Sequence, residues 1–422
     1  MDHRDIVVIG AGPAGAIAAA LLRRRGWDVL ILEAQRFPRF SIGESLLAHC
    51  LDFVDEAGML PAVEAAGFQY KNGAAFIRGD ECGVIDFGDH YTPGRRSTYQ
   101  VQRARFDKLL ADDAARQGVE IRYESRVVGM DTSAPARLRV RDAVQDYAVT
   151  AGFVLDASGF GRVLPALLHL ESPSTFPLRQ ATFTHVADRI PDGAFDRNKI
   201  HVIVHPEQHD VWYWLIPFQD ARSSLGVVGR PEFFAGSLTP EQRLKALTHE
   251  EPFLRRLLAQ AEWDAPVRDL GGYAANVTAM HGPGFALLGN SAEFLDPVFS
   301  SGVTIAMRSA SMAAALVDKQ LRGEAVDWAE QFERPLRKGI DTFRACVRAW
   351  YDGRFQAIMF AKEQPPAIRR MLCSILAGYA WDNSNPFVAE PERRLNMLAQ
   401  LCLRQKPPAA REPATSSPSA RD

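Results

Sequence analysis

The chain is poor in the features that mark several protein classes. Its 422 residues contain no uninterrupted apolar run of membrane-spanning length, and the N-terminus enters an apolar strand pattern almost at once, which leaves no room for a signal peptide. A cytoplasmic location with no transmembrane segment is therefore expected. Charge of one sign is also lacking: 49 Lys and Arg stand against 51 Asp and Glu, a net charge of −2, so neither nucleic acid nor an anionic membrane is expected as a partner. The five cysteines (Cys50, Cys82, Cys346, Cys373, Cys402) are scattered with no C-x-x-C pair, which speaks for a reducing compartment and against a metal site. No internal repeat is visible. What is abundant is apolar: 47% of residues are hydrophobic, enough for a large core and for two joined domains or more.

The most informative stretch is the first, DIVVIGAGPAGAIAAALLRRRGWDVLILEAQR, Asp5 to Arg36. Apolar residues lead into Gly10, Gly12 and Gly15 in G-x-G-x-x-G spacing, an Ala-rich helix follows, and a second apolar run ends at Glu33. This is a βαβ unit with a dinucleotide fingerprint: Gly10 for the tight turn, Gly12 for approach of a pyrophosphate, Gly15 for helix packing, and Glu33 for ribose hydroxyls. Pro13 and Ala14, inside the fingerprint, and Arg36, just past Glu33, join the expected cofactor-binding set. The fingerprint alone does not separate FAD from NAD.

Farther along, FPRFSIGES brings Gly43, Glu44 and Ser45 to a loop that in such a fold runs back over the cofactor; the alternative for Ser45 is a helix cap for LLAHCLDFVDEAG. Lys71 sits in an alternating stretch, where the ordinary reading is a solvated edge lysine. In YQVQRARFDKLL a strand turns into a helix that starts with Arg103 and Arg105, one placed to face a cofactor and the other solvent. FVLDASG reads as a buried strand ending at Asp156, with Gly159 allowing close backbone approach. Residues 165 to 270 alternate like an antiparallel sheet, with Trp212 and Trp214 on one face of a strand, ordinarily a core pair. Helices capped by Thr239 and near Glu251 follow. At Phe285 the first-domain pattern returns: a strand reaches Asn290, a loop carries Pro297, Ser301 and Gly302, and an Ala-rich helix begins there, an arrangement that suits an anion or cofactor. Helical patterns fill 325 to 403; the stretch 368 to 381 is expected as a core helix. From Gln405 a Pro- and Ser-rich tail is expected to be disordered.

The fingerprint with Glu33, DASG at 156 to 159 and the loop and helix from 289 to 310 together resemble the FAD-binding flavoprotein monooxygenase fold. Within it, Trp212-Tyr213-Trp214-Leu215-Ile216-Pro217 is similar to the W-x-W-x-I-P motif of flavin-dependent halogenases, with Val211 where that family usually has Gly. Phe294, Pro297, Ser300 and Gly302 match the F-x-x-P-x-x-S-x-G pattern of members acting on phenols and pyrroles, and Lys71 matches the lysine that directs the halogenating species. Phe299 stands where tryptophan halogenases carry Glu, which argues against free tryptophan as substrate. The resemblance covers about residues 1 to 360.

The resemblance implies an α/β fold: a discontinuous Rossmann-like FAD-binding domain (1–165 and 271–325), a β-sheet substrate domain (166–270, joined by part of 68–100) and a helical C-terminal region (326–404). It implies that Gly43 to Ser45, Arg103, Asp156 and Asn290 lie along the flavin, Asn290 replacing an aspartate common in the superfamily. Ser301 and Gly302 would hold a halide. Trp212, Trp214, Ile216 and Pro217 would form a barrier between flavin and substrate. The implied chemistry is oxidation of chloride or bromide by FADH2 and O2 to hypohalous acid, which Lys71 steers onto a phenolic or pyrrolic ring, free or carried on an acyl or peptidyl carrier protein, in antibiotic, pigment or other secondary-metabolite biosynthesis. Since no second G-x-G-x-x-G appears, a separate flavin reductase would supply FADH2 in a two-component system. The alternatives are an aromatic hydroxylase or other flavin oxidoreductase, and a flavin-binding accessory protein.

Overall fold

The strand Asp2–Ile9 ends in four fully apolar residues that are buried on both faces, the composition a parallel sheet needs when both its faces are covered. Its neighbours are the parallel strands Val29–Leu32 and Asp146–Asp156. In this computed structural model, which describes residues 2–404, the sheet runs in the order His281–Gly282, Phe285–Leu287, Asp146–Asp156, Asp2–Ile9, Val29–Leu32, Glu120–Arg122. The hairpin Arg126–Asp131 and Ala136–Arg141 extends the first half of Asp146–Asp156 on the same side as Phe285–Leu287. Helix Pro13–Arg24 packs against the sheet and against helix Ser301–Leu321; its run Ala16 to Ala20 has no exposure, since small side chains let the two helices approach. The strand that ends at Phe285–Leu287 is thus a return to the opening sheet, as the sequence pattern predicts.

A second sheet of seven strands runs Arg268–Gly271, Gln180–Ala187, Arg222–Gly229, Trp212–Pro217, Lys199–Val204, Gly73–Arg78, Glu81–Asp86. Its pairings are antiparallel except between Lys199–Val204 and Gly73–Arg78. Alternation sorts the Trp212–Pro217 strand into two faces. Tyr213 and Leu215 join the small core under helices Pro240–Glu250 and Pro252–Leu257, while Trp212, Trp214 and Ile216 join the main core. Those two helices are capped by Thr239, in a capping box with Gln242, and by Glu251.

The expected helix after Ser45 begins only at Cys50. Ser45 does not cap it: Ser45 bridges Gln100 and Leu46 donates its N–H to Tyr99, so backbone pairing keeps this segment extended. In the C-terminal region, helix Arg334–Tyr351 buries Trp350, and helix Pro366–Leu376 turns Leu372, Cys373, Ile375 and Leu376 inward. No helix among the described residues is long and apolar enough to cross a membrane. The tail expected to be disordered lies outside the described residues.

Candidate functional site

The two sheets meet over a cavity of about 560 Å³, within the usual range for small-molecule sites. Its floor is the fingerprint. Gly10 has φ +97°, and a Cβ there would lie 2.7 Å from the carbonyl oxygen of Ala157. A Cβ on Gly15 would come within 1.9 Å of the Gly10 carbonyl, so Gly15 is required by packing and stands off the cavity wall. Gly12 differs from both: a Cβ there would meet only the flexible end of Arg39, at 3.3 Å. With Pro13 and Ala14 it opens helix Pro13–Arg24 toward the cavity, presenting the helix N-terminus to whatever lies there.

At the end of the second strand, Glu33 accepts N–H groups from Ala11 at 2.8 Å and Gln35 at 2.9 Å and keeps lone pairs toward the cavity. Arg36 lies off the cavity wall. The chain turns outward after Gln35, leaving the Arg36 side chain 81% exposed and 3.8 Å from Glu124, while Arg39 reaches back to the wall and lies 3.3 Å from Asp107. Asp156 is also off the wall. It is fully buried beneath Gly159, accepts the N–H groups of Ser158 and Leu164, and burial raises its pKa against those bonds.

Above the floor, Gly43, Glu44 and Ser45 line the cavity beside Arg103. Arg103 is held by two bonds to Asp107, 2.7 and 2.9 Å, and by the Ile42 carbonyl. Arg105 instead bonds the Ala66 carbonyl at the surface. Glu44 meets His185 of the second sheet at 2.9 Å, a pair the sequence does not announce. Asn290, Pro297 and Gly302 close the far end. Asn290 Oδ1 is buried without a partner, an acceptor left for an occupant. Ser300, left-handed at φ 56°, turns the chain into helix Ser301–Leu321. The first-turn N–H groups of that helix have no intrahelical acceptor. Gly302 lies on the wall and the Ser301 side chain is buried behind it.

Trp212, Trp214 and Ile216 form the wall on the side of the second sheet; Pro217 ends the strand outside it. Both indoles are pinned. Trp214 donates to Ser224 at 3.0 Å and lies flat over Gly226, where a Cβ would come within 2.3 Å of the ring. Trp212 donates to the hydroxyl of Tyr351 at 3.0 Å, which in turn donates to Asp296 at 2.8 Å. Burial pushes the Asp296 carboxyl up to about 6 despite these bonds. Ser224, Gly226 and Asp296 escaped the sequence reading, in which Tyr351 is a packing residue only. Asp296 had a legible signal, an acid directly before Pro297 in helix-capping position; the others lie in different strands and helices.

Lys71 is not a solvated edge residue. It is 1% exposed, its Nζ donates to the Leu46 carbonyl at 2.7 Å and lies 5.2 Å above the ring of Phe87. Burial lowers its pKa to about 7. Nor is it on the cavity wall: Ser45 lines the wall and the next residue's carbonyl holds the lysine, so the backbone at 45 to 46 stands between them.

These residues fit FAD. The bare backbone of Gly12 on the cavity floor, the helix N-terminus, the Glu33 carboxylate and the unpartnered Asn290 acceptor suit a pyrophosphate, a ribose and a polar ring or chain in succession. The comparisons agree. The FAD binding domain family model matches residues 3–330. A 1H-pyrrole-2-carbonyl-[peptidyl-carrier protein] brominase of Pseudoalteromonas luteoviolacea is 28% identical over 342 residues, 78% of this chain and 80% of that protein. A tryptophan 2-halogenase of Chondromyces crocatus is 32% identical over 346 residues, 78% of this chain and 63% of that longer protein. The crystal structure of a flavoprotein/dehydrogenase from Cytophaga hutchinsonii superposes with a TM-score of 0.92 at 43% identity, covering 96% of this chain and 99% of that one. The chain belongs to the FAD binding domain family, as an FAD-dependent oxidoreductase, and over 78% of its length it is similar to these two halogenases.

Proposed function

We propose that the protein halogenates a phenolic or pyrrolic ring, free or tethered to a carrier protein, using FADH2 from a separate reductase, O2, and chloride or bromide, in secondary-metabolite or pigment biosynthesis. One observation carries this reading: a single cavity combines a dinucleotide fingerprint, a wall of two pinned tryptophans and the free N-terminal turn of helix Ser301–Leu321. The relatives named for pyrrole-carrier bromination and tryptophan halogenation support it.

When bound, reduced FAD supplies the electrons with which O2 oxidises a halide to hypohalous acid. The protein's part is binding and steering. The N–H groups of Ser301 and Gly302 offer donors and positive potential to a halide. Trp212 and Trp214 keep an organic substrate away from the flavin, which disfavours oxygen transfer to it. Lys71, an amine with pKa about 7, is a free base in much of its population at neutral pH. It therefore suits capture of an electrophilic halogen, as a hydrogen-bond partner or as a haloamine that returns the halogen to the ring and regenerates the amine.

A second reading, an aromatic hydroxylase or other flavin oxidoreductase, is favoured by the backbone between Lys71 and the cavity and by the flavoprotein/dehydrogenase relative. Mass spectrometry separates them. Protein, FAD, a flavin reductase with NADH, bromide and a panel of hydroxyaromatics and carrier-bound pyrroles should yield a bromine isotope doublet that disappears with Lys71→Ala. A product heavier by one oxygen, equally abundant with Lys71→Ala, supports the second reading.

A further inference from the structure

We infer that Asp296 and Tyr351 form a buried clamp that fixes Trp212 and the entry to helix Ser301–Leu321 as one unit. The carboxylate of Asp296 works in two directions. Its Oδ1 accepts the N–H of Val298 at 3.0 Å and so caps the turn Pro297–Phe299, which delivers Ser300 and then the first turn of the helix. Its Oδ2 accepts the hydroxyl of Tyr351 at 2.8 Å and lies 3.5 Å from that of Tyr273. Tyr351 uses its remaining lone-pair side to accept the indole N–H of Trp212 at 3.0 Å. The guanidinium of Arg179 lies 3.9 Å from the centre of the Tyr351 ring and is itself tied to Asp210 at 3.1 Å, which holds the ring from its face.

Trp212, Asp296, Tyr273 and Arg179 are all buried. A tryptophan N–H that loses its only acceptor in such surroundings must find another or shift. The clamp therefore sets the distance between the aromatic wall and the anion-receptive turn, two features that come from different sheets and different parts of the chain. Tyr351 and Asp296 are positioning residues: neither lies on the cavity wall. The functional consequence, coupling of the tryptophan barrier to halide binding, rests on the halogenase reading; the clamp itself does not.

The test uses FAD-loaded protein labelled with 15N at tryptophan. The Trp212 indole resonance is identified by its loss in Trp212→Phe. In Tyr351→Phe that resonance should shift and its exchange with water should quicken about tenfold, the scale of one lost hydrogen bond, with FAD affinity and thermal midpoint near those of the wild type. The KM for bromide should rise in both variants: about threefold in Tyr351→Phe, where the tie from Asp296 to Trp212 is cut but the Asp296 to Val298 bond is intact, and about tenfold in Asp296→Asn, with a smaller change in kcat. An unmoved Trp212 resonance in Tyr351→Phe overturns the clamp, and an unmoved bromide KM in a folded Asp296→Asn overturns its link to the anion turn. If Asp296→Asn does not fold, the Tyr351→Phe spectrum decides alone. A wild type that makes no halogenated product defeats the halogenase reading and leaves the indole measurement standing.

Discussion

Lys71 illustrates how far a single residue's role depends on contacts that its own neighbourhood in sequence does not reveal. By pattern it belongs to an exposed strand edge; Phe87, the Leu46 carbonyl and Cys50, each from another segment, enclose it. The enclosure has a measurable consequence. An amine whose pKa drops from 10.5 to about 7 on folding is protonated in the unfolded chain but not in the folded one between those values. Stability must therefore rise with pH across that window, and the cost of burying the ammonium is fully present below pH 7. Denaturant unfolding should give a gain of about 2 kcal/mol from this group between pH 7 and pH 9, absent in Lys71→Met, which should be the more stable protein at pH 6. Identical pH slopes would place the amine in water. Gly226 offers a second check at this scale. Gly226→Ala forces the Trp214 ring off the strand and should destabilise the fold by about 1–3 kcal/mol, read by urea unfolding, with altered tryptophan emission.

At the scale of elements, the opening βαβ unit was legible because its requirements are local: a continuous apolar run, then a helix of small residues, and glycines at fixed offsets. The same local logic separates glycines that look alike in sequence. Gly12 faces the cavity with only the flexible end of Arg39 near it, and Gly15 faces the Gly10 carbonyl. Gly12→Val should accordingly weaken FAD binding at least about tenfold, measured by flavin fluorescence titration, and leave the unfolding of the FAD-free protein nearly unchanged. Gly15→Ala should lower the stability of the FAD-free protein by about 1–3 kcal/mol. What the sequence hid was the loop end of an element. The helix after Ser45 starts later than its apolar spacing suggests, because Ser45 and Leu46 pair with Tyr99 and Gln100, more than fifty residues away. Arg36 likewise points outward while Arg39, three residues on, reaches the cavity, a choice made by the turn and invisible in composition.

At the scale of the molecule, the cavity exists only because two sheets of different construction face each other. The parallel sheet brings the fingerprint and the start of helix Ser301–Leu321; the antiparallel sheet brings the tryptophans. Contacts between the two, Glu44 to His185 and Asp296 through Tyr351 to Trp212, span 141 and 139 residues along the chain in their longest steps, so no local pattern could announce them. The class of reaction was legible through motifs, whereas the supports that hold the motifs in register were not.

In a halogenase built on this cavity, oxygen activated at the flavin ends on halide and never on the organic substrate. The direct measurement is turnover of the accepted ring substrate under ¹⁸O₂ with bromide and a flavin reductase, followed by mass spectrometry of the product. A bromine isotope doublet with no ¹⁸O in the product is the result expected of a halogenase in which Trp212 and Trp214 separate flavin from ring. A product carrying ¹⁸O and no bromine contradicts it and makes the protein a hydroxylase.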